Sequence, residues 1–167
     1  MKTKTKQQIL ILTPVLLLPV SNLLSAGFVS AADYEMTLAL VWVIGAVAEE
    51  LFYRFFLLQE LLLRRSALSP RVSIVLVSVL FAGMHLFNLH SGMAVPVVLL
   101  QAGCAFCFSM WAGAVVWRTH SVMIPLLAHI LLNLTALEGG GALLPLAASL
   151  ITLLDGLFLM AEPSKLR

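Results

Sequence analysis

Residues 36–62, MTLALVWVIGAVAEELFYRFFLLQELL, are almost entirely apolar but carry two adjacent glutamates and an arginine near their middle: Glu49, Glu50 and Arg54. The stretch is long enough to cross a bilayer as a helix, which takes about 20 residues. Charged side chains at membrane depth are costly and usually mark a functional site. The segment therefore predicts a membrane-spanning helix with a functional site built into it.

The composition of the whole chain predicts a polytopic membrane protein. Hydrophobic residues make up 61% of the 167 residues and charged residues only 11%, whereas soluble domains carry about 25% charged residues. The mean hydropathy is +1.04. The net charge of +2 is too small to indicate nucleic-acid binding. Cys104 and Cys107 lie in an apolar stretch, which favours packing over a disulfide framework or a metal or redox pair.

Six apolar stretches predict an all-α bundle of about six transmembrane helices in one domain, residues 1–167. With the N-terminus in the cytoplasm, every Lys and Arg of the loops and termini falls on the cytoplasmic side, so both termini are predicted cytoplasmic. Gly103 and Gly113 are predicted to allow close helix packing. The predicted helices run over residues 8–29, 35–62, 72–89, 93–117, 122–137 and 142–160.

The first apolar stretch has a second interpretation. A basic start, an apolar run and Val29-Ser30-Ala31 together resemble a cleavable signal peptide. The apolar run is long for such a peptide and contains Pro14 and Pro19. Cleavage would remove the first helix and leave the topology of the other five unchanged.

The two glutamates are predicted to do different work. Glu50 and Arg54 are four residues apart and share one helix face, whereas Glu49 is rotated from Glu50 by about 100°. We expect Arg54 to neutralise Glu50 while Glu49 points into a cavity, where it can act as a general base. A purely structural ion pair would explain Glu50 and Arg54 but would leave Glu49 unneutralised.

Further polar residues lie on two later helices. His85 is near the end of the third, and His129 and Asn133 share one face of the fifth. Each alone could be an interhelical hydrogen-bond partner. Because lipid offers no such partner, polar groups on three helices are most readily satisfied by meeting one another. These three residues and Glu49 are predicted to converge on one water-accessible pocket, where a carboxylate and an imidazole can activate water while a second imidazole and an amide stabilise an oxyanion.

The three motifs Glu-Glu-x-x-x-Arg, Phe-x-x-x-His and His-x-x-x-Asn, in this order on successive membrane helices, resemble the CAAX protease and bacteriocin-processing family, also called the Abi family. They span Glu49 to Asn133 within a core of residues 36–137. The resemblance implies a glutamate-type intramembrane endopeptidase without a cofactor, acting on a membrane-associated protein or peptide. It also implies a bacterial plasma-membrane location.

The resemblance also assigns roles to six residues. It implies Glu49 as the catalytic base, His85 as its helper in activating water, His129 and Asn133 as the oxyanion site, and Glu50 and Arg54 as supporting residues. His85 and Asn133 are predicted near the outer ends of their helices, which favours cleavage near the extracytoplasmic face.

Three alternatives stay open at this point. Glu49, His85 and His129 could hold zinc with water as the fourth ligand, although no His-Glu-x-x-His helix is present. The chain could instead be a non-catalytic immunity or binding protein of the same family. Buried Glu, His and Arg also build proton-coupled transporters, although no inverted repeat is visible. The sequence indicates neither the substrate nor an oligomeric state.

Overall fold

The computed structural model describes residues 3–26, 36–135 and 142–162. Within these ranges all regular structure is helical and no strand forms, which confirms the all-α prediction. α2 continues without a break as π-helical turns over Leu51–Leu63, and α3 continues as 3₁₀ turns over His85–Ser91. The helices in chain order are α1 (Thr3–Ala26), α2 (Met36–Glu50), α3 (Pro70–Met84), α4 (Val95–Thr119), α5 (Met123–Thr135) and α6 (Leu143–Ala161).

The six predicted helices are all present in the described part of the chain. The predicted helix ends at residues 29 and 137 lie outside the described residues. α5 is apolar but shorter, at 13 residues, and α2 with its π-helical turns carries the buried charges. Among the described residues, four helical stretches are long and apolar enough to cross a membrane on their own: Lys4–Ser25, Pro70–Ser91, Val95–Thr119 and Leu143–Ala161.

Local signals at the two ends of α3 explain its boundaries. The Ser69 hydroxyl accepts a hydrogen bond from the Val72 N–H at 3.4 Å, and Pro70 occupies the first turn, where its missing N–H costs nothing. At the other end, Gly92 adopts a left-handed conformation with φ of 85° and ends the 3₁₀ turns. The chain therefore reverses immediately after His85–Ser91 and enters α4.

α4 is the central helix of the bundle and packs against α3 and α6. Its Trp111 is fully buried, and the indole N–H donates to the Leu10 carbonyl of α1 at 3.1 Å. α1 also packs against α5 and α6, and α2 packs against α5. The first helix is thus an integral part of the bundle, and among its neighbours is α5, the helix of His129 and Asn133.

The glycine predictions are half right. A Cβ at Gly113 would lie 2.9 Å from Cγ2 of Ile74, so the close approach of α3 and α4 is confirmed. The prediction for Gly103 is wrong, since a Cβ there would meet nothing within 4 Å. Among the glycines that the structure describes, the tightest approach is at Gly156 of α6, where a Cβ would lie 2.8 Å from the Trp111 Cα. Small residues of this kind let membrane helices pack backbone to backbone.

The outer surface of the bundle is apolar. Large hydrophobic side chains stand exposed on successive helices, far beyond the isolated patches that soluble proteins tolerate. A lipid environment accounts for this surface, and the chain is an integral membrane protein. Examples are Leu16, Ile44, Val79, Leu127 and Phe158.

Polar contacts gather at one end of the bundle. The Arg71 Nε donates to the Met160 carbonyl at 3.2 Å, and the Arg118 Nε donates to the Leu159 carbonyl at 2.9 Å. Arg118 also donates to the Glu162 carbonyl, and the Glu162 carboxylate accepts from the Gln7 amide at 2.5 Å. The start of α1, the start of α3 and the ends of α4 and α6 therefore share one end, as an alternating topology requires. That this end is cytoplasmic stays a prediction.

Candidate active site

α2 presents the two glutamates from its last turn, and the two side chains differ sharply in exposure. Glu50 and Arg54 are both fully buried, with Nη1 of Arg54 3.2 Å from Oε1 of Glu50. The Arg54 guanidinium also lies over the Phe81 ring, 4.1 Å from its centroid. The Glu49 side chain is 43% exposed and faces a cavity. The structure thus has the expected geometry, in which Arg54 neutralises Glu50 and Glu49 faces a cavity.

His129 of α5 lies between the two carboxylates. Its Nδ1–H donates to Oε1 of Glu50 at 2.9 Å, and its Nε2 lies 3.6 Å from Oε2 of Glu49. The first contact fixes the ring, because Glu50 is itself immobilised by burial and by Arg54. The second contact is longer than a direct hydrogen bond, and a small polar group can contact both atoms at once. His129 therefore directs one ring nitrogen toward the exposed carboxylate.

His85 lies where α3 gives way to its 3₁₀ turns. Its Nδ1 is 3.0 Å from the Phe81 carbonyl. A carbonyl only accepts, so Nδ1 carries a hydrogen, and in the neutral ring Nε2 is the nitrogen with a lone pair. Asn133 follows His129 by one turn of α5, and its amide donates to the Trp42 carbonyl of α2 at 3.5 Å. Each residue is thus oriented by a backbone carbonyl.

One cavity of about 460 Å³ brings the polar residues together. Its size falls in the range of about 300–1,000 Å³ that is usual for ligand sites. Glu49, His85, His129 and Asn133 all line it, whereas Glu50 and Arg54 lie buried behind it. The predicted convergence of four residues from three helices is what the structure shows. That these residues are catalytic stays a prediction.

We call this cavity the outer cavity. Its wall also contains residues that the sequence did not predict. Gln101 of α4 lines it beside Asn88, whose amide donates to the Gln101 carbonyl oxygen at 2.7 Å. Trp42 lines it from α2. A lone amide within an apolar helix is a signal that could have pointed to Gln101, since lipid offers such a group no partner. Trp42 gave no signal, because a tryptophan in an apolar helix is equally typical of an interface anchor.

Aromatic rings enclose the buried half of the site. The Phe81 and Phe108 rings lie 5.8 and 5.2 Å from the His129 ring, and Phe81 also packs edge-on against Tyr53 at 5.2 Å. These rings keep water away from the Glu50–Arg54 pair, which strengthens its electrostatic attraction. In the sequence, Phe81 only marked the spacing of the motif Phe-x-x-x-His. In the structure, its ring contacts the Arg54 guanidinium.

The zinc alternative requires three ligands directed at one point. Among the residues that the structure describes, no group of three or more His, Cys, Asp and Glu side chains is arranged to hold a metal ion. Nδ1 of His129 faces Glu50, and its Nε2 faces Glu49, which is itself one of the three residues of the zinc alternative. Cys104 and Cys107 are both free. Cys107 is buried in the core as expected, but Cys104 is only partly buried and lines a second cavity.

Comparison with known proteins places this site in a family. No curated protein and no solved structure matches the chain. Residues 32–135, well over half of the chain, match a family model described as type II CAAX prenyl endopeptidase Rce1-like. The matched range contains both glutamates of α2 and the polar residues of α3 and α5 that line the outer cavity. The chain therefore belongs to the type II CAAX prenyl endopeptidase Rce1-like family.

Proposed function

We propose that this protein is a glutamic-type intramembrane endopeptidase that hydrolyses a peptide bond in a membrane-associated protein or peptide. One observation carries the proposal: an exposed Glu49 carboxylate faces a polar cavity beside a histidine that the buried Glu50–Arg54 pair holds in place. Membership of the endopeptidase family supports it. No serine or cysteine nucleophile is needed for this chemistry.

In the proposed first step, Glu49 removes a proton from a water molecule that the lone pair on Nε2 of His85 helps to orient. The water oxygen bonds to the carbonyl carbon of the scissile peptide, and the carbonyl oxygen becomes an oxyanion. His129 has a carboxylate facing each ring nitrogen, and in this scheme it acts as the imidazolium, with a hydrogen on both Nδ1 and Nε2. The Nε2–H and the Asn133 amide stabilise the oxyanion, and donors of this kind contribute about 10²–10³-fold each.

In the second step the tetrahedral intermediate collapses. The carbon–nitrogen bond breaks, and the proton held by Glu49 passes to the leaving amine. The products are a new carboxylate terminus and a new amino terminus, and Glu49 returns to its starting state. Glu50 and Arg54 touch no reacting atom in this scheme and act by positioning His129.

The outer cavity lies away from the basic end of the bundle. It opens where α3 ends and α4 begins, beside Asn88 and Met93, whereas Arg71 and Arg118 lie at the opposite ends of these two helices. With the predicted cytoplasmic position of the basic end, cleavage takes place toward the extracytoplasmic face. We place the protein in a bacterial plasma membrane on the strength of the motif resemblance.

The test is a comparison of protein termini in membrane and secreted fractions of cells with wild-type protein, Glu49→Gln or Glu60→Gln at equal abundance. Glu60 is a matched control, since it lies on the same helical segment but pairs with Arg64 at 2.6 Å and does not line the cavity. We expect a small set of precursors to remain uncut only with Glu49→Gln. Identical termini in all three strains would refute a protease and leave a non-catalytic binding or immunity protein.

A further inference from the structure

A second, smaller cavity adjoins the candidate active site. It has a volume of about 200 Å³, and we call it the inner cavity. Leu18 of α1, Cys104 and Phe108 of α4 and Leu132 of α5 form much of its wall. Four residues line both the inner and the outer cavity: His85, Gln101, His129 and Asn133. A group bound in the inner cavity would therefore lie directly beside the atoms that we propose to carry out hydrolysis.

The size and lining of the inner cavity limit what it can hold. Its volume lies below the range of about 300–1,000 Å³ found for pockets that enclose drug-sized ligands, so it fits one side chain rather than an extended lipid chain. In the described part of the chain, no Asp, Glu, Lys or Arg side chain lines it, so a charged side chain would lose its hydration there without a carboxylate, ammonium or guanidinium partner. The Asn22 amide on its wall already donates to the Leu132 carbonyl and the Thr135 hydroxyl. An uncharged apolar side chain is the ligand that suits these walls.

Gln101 occupies the boundary between the two cavities. Its carbonyl oxygen accepts from the Asn88 amide at 2.7 Å, which fixes the orientation of the side chain. The Gln101 N–H groups are then the ones available to a ligand. A peptide whose side chain enters the inner cavity must pass its backbone across this boundary, where a carbonyl oxygen can accept from Gln101.

We infer that the inner cavity is the specificity pocket of the enzyme, taking one uncharged apolar side chain beside the scissile bond while Gln101 binds the adjacent backbone carbonyl. This inference rests on the proposed protease function. It assigns the substrate class as peptides with a residue of the size of Leu, Ile, Met or Phe at one fixed position next to the cut. It makes Gln101 a substrate-binding residue and Cys104 a determinant of side-chain size.

The experiment uses the purified full-length protein in proteoliposomes and a peptide library randomised around a central segment, with cut sites identified by mass spectrometry. The variants are wild type, Cys104→Phe, which fills the inner cavity, and Cys107→Ala as a control cysteine outside it. We expect wild type and Cys107→Ala to prefer a large apolar residue at one position. Cys104→Phe should shift the preference to Ala or Gly and lower the Leu-to-Ala cleavage ratio by about 10-fold or more, the range that a few methylene groups control.

A second measurement keeps the test sound if Cys104→Phe does not fold. Folded protein carrying Cys107→Ala is treated with N-ethylmaleimide, which adds bulk to Cys104 within the intact cavity. Modified protein should show the same shift toward small residues. An unchanged cut-site profile after modification, or a wild-type profile without an apolar position, would overturn the inference. Cleavage that Glu49→Gln does not abolish would instead refute the proposed function.

The role of Gln101 has its own readout. Gln101→Leu should raise KM several-fold with a smaller change in kcat, because a contact with the substrate backbone is already made in the ground state. A purely structural residue would lower the amount of folded protein without changing the KM of the remainder. An unchanged KM would remove Gln101 from the substrate site.

Discussion

Glu49 and Glu50 are neighbours in the chain but occupy different environments. Glu50 is fully buried, and its Oε2 has no hydrogen-bond partner among the described residues. The Arg54 nitrogens likewise have no well-aligned hydrogen bond within the described chain, although Nη1 lies 3.2 Å from Glu50. The pair is thus held by charge more than by directed hydrogen bonds. Buried pairs of this kind add little net stability, so we infer that its main role is to orient His129.

Removing one member of the pair should separate stability from activity. Glu50→Gln leaves the buried Arg54 charge uncompensated, and we expect a loss of about 3–5 kcal/mol in the free energy of unfolding. Glu49→Gln changes a half-exposed side chain and should cost about 0.5 kcal/mol or less. Thermal unfolding of the two variants in the same detergent measures the difference. Equal losses would contradict the division of labour between the glutamates.

Replacing both members should restore stability without activity. In Glu50→Leu/Arg54→Met no buried charge remains, and apolar replacements of buried ion pairs are often neutral or stabilising. We expect the double variant to unfold at a higher temperature than Glu50→Gln and to be inactive, since His129 has lost its buried acceptor. The measurement is peptide cleavage at equal amounts of folded protein. Full activity would show that Glu50 does not position His129.

The arrangement of the polar side chains also predicts the response to chelators. Among the described residues, no group of three or more His, Cys, Asp and Glu side chains is arranged to hold a metal ion. We expect 1,10-phenanthroline and EDTA to leave the cleavage rate of purified protein unchanged. Inhibition that added zinc reverses would establish a zinc enzyme and overturn the glutamic mechanism.

At the scale of the helical elements, the change of winding after Glu50 is the main feature that the sequence did not predict. Residues 35–62 were expected to form one uniform helix, but the π-helical turns begin at Leu51 and continue to Leu63. This stretch is apolar on most sides, so its periodicity does not report how tightly the helix is wound. π-helical turns are rare and occur frequently at functional sites. Here they begin one residue after the buried glutamate.

The helix contacts yield a matched pair of glycine variants. Gly156→Ala places a methyl group against the Trp111 backbone, which cannot move aside as a side chain can. We expect α4 and α6 to separate, at a cost of about 1–3 kcal/mol in the free energy of unfolding. Gly103→Ala meets no neighbour and should leave stability equal or slightly higher. Chemical denaturation of both proteins is the measurement, and similar stability would contradict the packing.

These positions show how far the sequence predicts the elements and the site. Charged and imidazole side chains are rare in apolar helices and find no other partner in lipid. Their convergence on one cavity could therefore be predicted from the sequence. A glycine gives no comparable signal, because its role depends on which helix lies opposite. Gly103 and Gly156 both lie inside long apolar helices, and only the second faces a backbone. Gln101 likewise lies outside the three sequence motifs, so they did not predict its position in the cavity wall.

At the scale of the whole molecule, the bundle has two chemically different ends. Arg71 and Arg118 both donate to the last carbonyl groups of α6, which lack partners within that helix. The outer cavity opens where α3 ends and α4 begins, away from these arginines. The opening of the outer cavity is therefore separated from the basic end by the length of α3 and α4.

The orientation of the bundle can be tested by labelling single cysteines. In a Cys104→Ala/Cys107→Ala background, Ser91→Cys reports the end near the outer cavity and Ala67→Cys the loop before α3. Both positions are exposed. We expect a membrane-impermeant maleimide to label Ser91→Cys in intact cells, and Ala67→Cys only after the membrane is opened. The reverse pattern would move the proposed cleavage to the cytoplasmic face.

The inner cavity has a consequence for how such an enzyme could diversify. The residues that match the family end at 135 and begin at 32, so α1 and α6 lie outside the shared region. Yet Leu18 of α1 and Ser149 of α6 help to line the inner cavity. Mutations in these two helices can reshape that wall while leaving the inherited reaction untouched. After gene duplication, we expect new substrate preferences to arise first from mutations in α1 and α6.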